Sequence, residues 1–324
     1  MDVPTTITER SPWLISYGQD LIWFIGSSLV SYLAVVALEL GIPAPLLFFF
    51  WTFLLDGPHV VATVTRTYMD DRERGRLGVL LWVVVPAVLI GPISVEIGFE
   101  QWFFLAVLGW QAWHVAKQHF GFVMLYKAKS QDKADFLLDK WTLLGCYMIP
   151  SICFWLSTEG VPIRYMVALY FALITIFMVR QMCKYFNSQI LNVPKLLLFV
   201  CVLPLQWVVF VHATTFGIDG AIRMAMVAGI FHSLQYHRLI LFHNRNRYAG
   251  LDAAPLAAFF SQSIFAYLCL VIGLYGLVAY VGSFSLYLQA ATWGVAFSHY
   301  ILDSRIWRIR EDRELATALR LAVA

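Results

Sequence analysis

The 324-residue sequence has little charge: Asp, Glu, Lys and Arg make up 13% of it, against 60% hydrophobic residues and a mean hydropathy of +0.71. A soluble core of this size would leave too much apolar surface against water, so the scarcity of charge makes lipid the solvent. Cysteine is also scarce. Cys146, Cys153, Cys183, Cys201 and Cys269 are scattered through apolar segments with no Cys-x-x-Cys pair, which argues against a disulfide frame and a thiolate metal site. There is no low-complexity tract, no visible internal repeat and no stretch that reads as a soluble domain. No cleavable signal is expected, because the first residues are polar and the first apolar run is already long enough to span a bilayer. Any active site therefore has to be built inside the bundle.

The apolar runs divide into about ten spans, near 20–41, 45–66, 77–95, 102–126, 136–156, 162–180, 195–213, 220–242, 255–281 and 285–307. Each is long enough to cross roughly 30 Å of hydrocarbon as a helix, and runs of this length exclude barrel strands. Basic residues test the division independently. With Lys117 counted with its loop, all but Arg164 and Arg223 of the 23 Lys and Arg fall on one side of the alternation. The expectation is an all-α, polytopic transmembrane bundle with both termini cytoplasmic, residues 1–324 forming one integral-membrane domain. The net charge of +3 then reflects arginines that anchor loops to anionic lipid, and no nucleic-acid partner is expected. The last residues read as a short surface helix.

What the sequence does have is histidine at one depth. His59, His119, His232 and His299 each lie six to eight residues before the first basic residue of a cytoplasm-facing loop, namely Arg66, Lys127, Arg238 and Arg305. Imidazoles in hydrocarbon are costly unless they bind something, and a common plane suggests one ligand for all four. His59 follows Asp56, Gly57 and Pro58, so a kink is expected there, with Asp56 in reach of the ring. The bland alternative is a kinked helix end that meets headgroups. His114 and His119 lie five apart, about 140° round a helix, and face one site only if the helix is overwound or carries a π-bulge. Otherwise they form a polar seam with Gln111 and Gln118. His232 shares a face with Tyr236, with Gln235 and His237 beside them. His299 and Asp303 are one i,i+4 step apart, as a ring and its orienting carboxylate or as a simple packing pair. His212 should lie at the opposite face, outside any such site, and His243 reads as solvated in its loop.

Neutral imidazole suits iron, copper, zinc and nickel. Hydrolytic zinc would want a carboxylate base of the His-Glu-x-x-His kind, which is absent, whereas a multi-histidine iron(II) site with an open position would bind dioxygen. In order along the chain, Pro58-His59, His119-Phe120-Gly121, His232-Ser233 with Tyr236-His237, and His299-Tyr300 leading to Asp303 resemble the motifs of the Brp/Blh-type bacterial membrane carotene-cleaving dioxygenases. The resemblance covers about 40 residues. It implies a non-haem Fe(II) held by His59, His119, His232 and His237, and oxidative cleavage of a polyene. This chain departs from the pattern in the five-residue spacing of His232 and His237. It also has Val60 and Thr63 where the family has Gly and Asp, an additional His114, and more spans than the family usually shows.

The leading expectation is an integral-membrane non-haem iron dioxygenase or other oxygenase, in the bacterial cytoplasmic membrane, acting with dioxygen on a carotenoid or other lipid-soluble polyene. Its metal ligands come from His59, His119, His232, His237 and His299, with His114 at the site. Asp56 and Asp303 would set ring tautomers, and Tyr236 would hydrogen-bond an oxygen intermediate. Three alternatives stay open: a di-iron lipid hydroxylase or desaturase, which would need an electron donor; a transporter with a histidine-rich polar site; and a bis-histidine haem protein. No adjacent His-His pair of the usual di-iron box occurs.

Overall fold

The computed structural model describes residues 11–158, 160–215, 217–248 and 255–321, and every regular element among them is helical. In chain order these are α1 (Tyr17–Glu39), α2 (Ala44–Arg66), α3 (Asp71–Glu96), α4 (Glu100–Lys129), α5 (Phe136–Thr158), α6 (Arg164–Phe186), α7 (Val193–Thr215), α8 (Gly217–Arg247), α9 (Pro255–Gln262), α10 (Ile264–Gly282), α11 (Leu286–Ile306) and α12 (Arg313–Ala318). Six of them, α1, α2, α3, α6, α7 and α10, are long and apolar enough to cross a membrane. The helices that carry most of the histidines, α4, α8 and α11, are 30, 31 and 21 residues long. Their polar residues lower their hydropathy without shortening them.

Two boundaries differ from the sequence reading. The run 255–281 is two helices, because Ser263 interrupts it and caps α10 by accepting from the Ala266 N–H at 3.4 Å. Helix α3 starts earlier than its apolar run, at a cap where the Asp70 carboxylate accepts from the N–H groups of Arg72 and Glu73. It tightens into a 3-10 stretch from Gly78, whose φ of +49° a side chain would resist. The tail helix α12 is docked rather than loose on the surface. Leu315, Ala316 and Ala318 are buried, and Asn246 of α8 donates to the Ala318 carbonyl.

Three apolar clusters surround the middle of the bundle. The largest joins α1, α4, α5, α7 and α8 through residues such as Phe24, Phe122, Tyr126, Leu198 and Phe231. A second joins α2, α8 and α10. The third joins α3, α4 and α11, and here small residues let two backbones touch. Ala87 and Gly91 on α3 meet Gly294 and Ala290 on α11, so a Cβ at Gly91 would overlap the Ala290 carbonyl and one at Gly294 the Ala87 carbonyl. This is the small-xxx-small crossing that membrane helices use where no hydrophobic effect drives association.

Buried ions tie the ends of α4, α5 and α7 together. Asp139 accepts from Lys127 at 2.8 Å and from Lys195 at 3.2 Å, and Asp132 lies 3.5 and 3.4 Å from the same two ammonium groups. Asp135, in the loop before α5, accepts from Arg180 and Lys184 of α6. Burial pushes its carboxyl up, but those cations outweigh it and leave the pKa below the ordinary value. The contact is therefore intact at neutral pH and is lost as the pH falls through that lowered value.

Gly294→Leu should overpack the α3–α11 crossing and cost about 1–3 kcal/mol, lowering the thermal midpoint in detergent. Gly273→Ala, where a Cβ meets nothing within 4 Å, should be neutral or stabilising in the same assay.

Candidate metal centre

The site begins with a proline. Pro58 has no N–H to give and its ring would clash with the carbonyl one turn back, so α2 widens into a π turn over Thr52–Asp56 before it. The Leu55 and Asp56 carbonyls in this stretch accept hydrogen bonds from side chains. His237 Nε2 donates to Leu55 at 3.1 Å, and His59 Nδ1 donates to Asp56 at 2.9 Å. A second π turn, Leu21–Ile25 in α1, is served in the same way when Gln235 Nε2 donates to the Phe24 carbonyl at 2.7 Å. Neighbouring residues of α8 thus donate to one carbonyl in each irregular turn.

Four imidazoles meet next to the widened turn, each from a different helix: His59 (α2), His114 (α4), His232 (α8) and His299 (α11). All four are buried. His59 Nε2 stands 3.0 Å from His232 Nε2, and His114 Nε2 stands 3.2 Å from His299 Nε2. Ring centroids of His59 and His299 are 4.7 Å apart, and those of His114 and His232 5.0 Å. Ligand nitrogens of His59, His114 and His299 all lie within 4.8 Å of one another. Two nitrogens each about 2.1 Å from one ion stand roughly 3.0 Å apart at a right angle and about 3.4 Å at the tetrahedral angle, so both close pairs have the spacing of neighbouring ligands.

Donor and acceptor chemistry fixes two of these rings. A carbonyl can only accept, so His59 carries its proton on Nδ1 and turns a bare Nε2 lone pair inward. For His299 the same conclusion follows along a chain. Trp307 Nε1 can only donate, and it donates to the Asp303 carboxylate at 2.9 Å. Tyr236 O–H donates to the same oxygen at 2.7 Å. With that proton committed, the Tyr236 oxygen accepts from Thr63 O–H at 3.0 Å, and Thr63 in turn accepts from His299 Nδ1–H at 2.6 Å. His299 is left with a bare Nε2 toward His114. Tyr300 stacks on His114 with ring centroids 4.4 Å apart, and Gln118 Nε2 donates to the His232 main-chain carbonyl at 3.0 Å.

The remaining residues singled out from the sequence fall around this group. Helix α4 is regular, so His119 is turned away from His114 as the 140° separation requires. Its Nδ1 contacts the Val115 carbonyl and the Tyr147 hydroxyl, each at 3.0 Å; its ring centroid is 6.5 Å from that of His232, and its Nε2 has no hydrogen-bond partner among the described residues. His237 stands apart from the cluster: with Nε2–H given to Leu55, Nδ1 accepts from Tyr267 O–H at 2.7 Å, and neither nitrogen keeps a lone pair for a metal. The Asp56 carboxylate lies 3.6 Å from His59 Nδ1, farther than its own carbonyl, and accepts from Ser233 Oγ at 3.4 Å. Asp303 does not touch His299 directly; its hold on that ring passes through Tyr236 and Thr63. His243 is buried against Trp307 and bonded to Asn244 rather than solvated. The His212 side chain lies outside the described residues.

Thr63, Tyr147, Tyr267 and Tyr300 are the partners that sequence reading passed over. Only Thr63, four residues after His59, and Tyr300, next to His299, had any signal in spacing. No protein-family model, no curated protein and no solved structure matches the chain.

Alanine at His59, His114, His232 or His299 should abolish stoichiometric divalent-metal binding, measured by metal analysis of detergent-purified protein, whereas His237→Gln should retain it. Thr63→Val removes the acceptor of His299 Nδ1–H at nearly constant volume, and metal affinity should fall about 10–100-fold. Retention of full affinity by Thr63→Val would break the relay argument.

Proposed function

We propose that this protein is an integral-membrane non-haem iron oxygenase whose Fe(II) is held by His59, His114, His232 and His299, and which oxidatively cleaves a double bond of a carotenoid or another lipid-soluble polyene with dioxygen. In this reading the long helices cross the membrane about ten times, both termini are cytoplasmic, and the membrane is the bacterial cytoplasmic one. The positive-inside distribution of Lys and Arg supports that orientation.

The observation that carries the reading is the convergence of four buried imidazoles from four helices, two of them with lone pairs fixed inward. The donor set fits iron. Four neutral nitrogens leave coordination positions open, the grouped side chains include no cysteine, and the His-Glu-x-x-His arrangement that hydrolytic zinc would want is absent from the sequence. Iron held in this way supplies binding and activation of dioxygen. The chain's own residues do the rest: the Asp56 carbonyl and Thr63 hold two rings in the ligating tautomer, and Tyr300 stacks on a third. The surroundings suit an apolar substrate, since a cavity of about 720 Å³ is lined by His114, Tyr236 and Tyr300, and another of about 650 Å³ by Asp56, Val60 and Tyr300. Tyr300 belongs to both walls.

One observation favours a second reading, a di-iron lipid hydroxylase fed by an electron donor. His119 Nε2 and His232 Nδ1 are both buried without a hydrogen-bond partner among the described residues, as ligands of a second ion would be in its absence. Metal counting separates the two. Protein purified in detergent and loaded anaerobically should hold about one iron per chain, show no haem absorption, and consume dioxygen when a polyene is added, with two carbonyl products. Two irons per chain would move the assignment to the hydroxylase. Absence of metal from a folded protein would sink both.

A further inference from the structure

The larger cavity has a direction. Its deep end is neutral or engaged in hydrogen bonds: His114, Tyr236 and an Asp303 already bonded to Tyr236 and Trp307. Trp110, Trp113 and Phe120 add aromatic surface to its wall. Its outer wall carries three cations, Lys117, Arg305 and Arg308, and no carboxylate other than the buried Asp303 lines any part of it. Arg308 is neutralised by Glu311 at 3.0 Å. Lys117 and Arg305 are not. Lys117 is exposed, and its ammonium lies 5.8 and 5.7 Å from the Trp113 and Phe120 ring centres, with no acidic partner among the described residues. Arg305 is exposed and has no hydrogen bond or ion pair among the described residues. The second cavity is built differently: Asp56 is its one charged residue, and it has no cation.

Spacing connects the cations to the histidines. Lys117 is three residues beyond His114 on α4, and Arg305 six beyond His299 on α11, so the two cations stand roughly 4.5 and 9 Å farther along their helices than the rings. They come from the two helices whose Nε2 atoms form the 3.2 Å pair. Loop anchoring does not account for Lys117, which lies within α4 ten residues before Lys127. Two unpaired cations at the exposed part of a largely apolar, aromatic-lined cavity that reaches the His114 imidazole are matched by an anionic group joined to an apolar chain, the anion at the cations and the chain running inward.

We propose that the substrate is an anionic single-chain amphiphile, a carboxylate or phosphate ester with an unsaturated tail, whose headgroup is held by Lys117 and Arg305 so that one position of its chain lies at the four-histidine centre. This rests on the oxygenase reading for the chemistry, but not for the binding. It also means that oxidation falls at a fixed remove from the headgroup rather than at any double bond that reaches the site.

Binding is measured by tryptophan quenching on the full-length protein in detergent, with stearic acid brominated at mid-chain, its methyl ester, and octadecyl phosphate as a competitor. The acid should bind saturably and about tenfold more tightly than the ester. In the double variant Lys117→Gln/Arg305→Gln the two should converge while iron content stays unchanged. Displacement of the acid by octadecyl phosphate would show that any anionic head serves, and failure to displace it would narrow the head to a carboxylate. Equal affinity for acid and ester, or an acid preference that survives in the double variant, overturns the proposal. Iron is counted on the same samples, so a head-selective protein without iron would overturn the oxygenase reading and leave the headgroup site standing.

Discussion

A backbone N–H that Pro58 does not have shapes the middle of this bundle. In water the missing donor would be replaced by solvent; in hydrocarbon an orphaned carbonyl costs several kcal/mol, on the order expected for any buried polar group. Helix α2 answers by opening a π turn over Thr52–Asp56, and beside it the side chains of His237 and His59 donate to the Leu55 and Asp56 carbonyls. The bond to Asp56 puts the His59 proton on Nδ1 and leaves the Nε2 lone pair free. The stretch that Pro58 distorts thus carries the carbonyl that sets this tautomer.

Helix α8 donates to both π turns. Gln235 and His237 supply donors to the π turns of α1 and α2, while His232 and Tyr236, on a neighbouring stripe, face the cluster. Neighbouring residues of one helix therefore face different ways, two bonded to the turns of other helices and two turned toward the imidazoles. Thr63 and Tyr236 extend the logic to α11 by passing a fixed hydrogen-bond direction from Trp307 and Asp303 to His299. No formal charge needs to reach the ring for its tautomer to be set, which suits a site where charge is expensive.

Tyr300 lines both cavities, and His114 also lines the larger one. Their walls are largely apolar, yet they differ in charge. One ends at exposed cations, and the other contains a single engaged carboxylate. The tight α3–α11 crossing at Gly91 and Gly294 keeps α11 in place, and with it His299, Tyr300 and Arg305.

Much of this was legible in the chain. Low charge, long apolar runs and lopsided Lys and Arg content led to a helical membrane bundle, because lipid permits few backbone solutions. His59, His119, His232 and His299 stood out because imidazoles at a common depth in hydrocarbon need a shared ligand to offset their desolvation, and of these His119 is the one the structure turns away from the group. The Pro58 distortion was legible for the same kind of reason: a missing N–H is a local fact. Spacing also stated the condition on His114 and His119, that only a bulge brings both to one site. What spacing did not contain was which of the two the regular α4 turns inward, and that depends on where α8 and α11 pack. Likewise His237 lost its place among the ligands to a carbonyl of α2 and a hydroxyl of α10, partners 182 and 30 residues away in sequence. The sequence by itself determined the solvent, the helices and the layer in which the histidines lie, since these follow from composition and local covalent geometry. The tertiary structure alone decided which nitrogens keep their lone pairs, because each hydrogen bond that settles a tautomer joins an imidazole to a partner placed by packing.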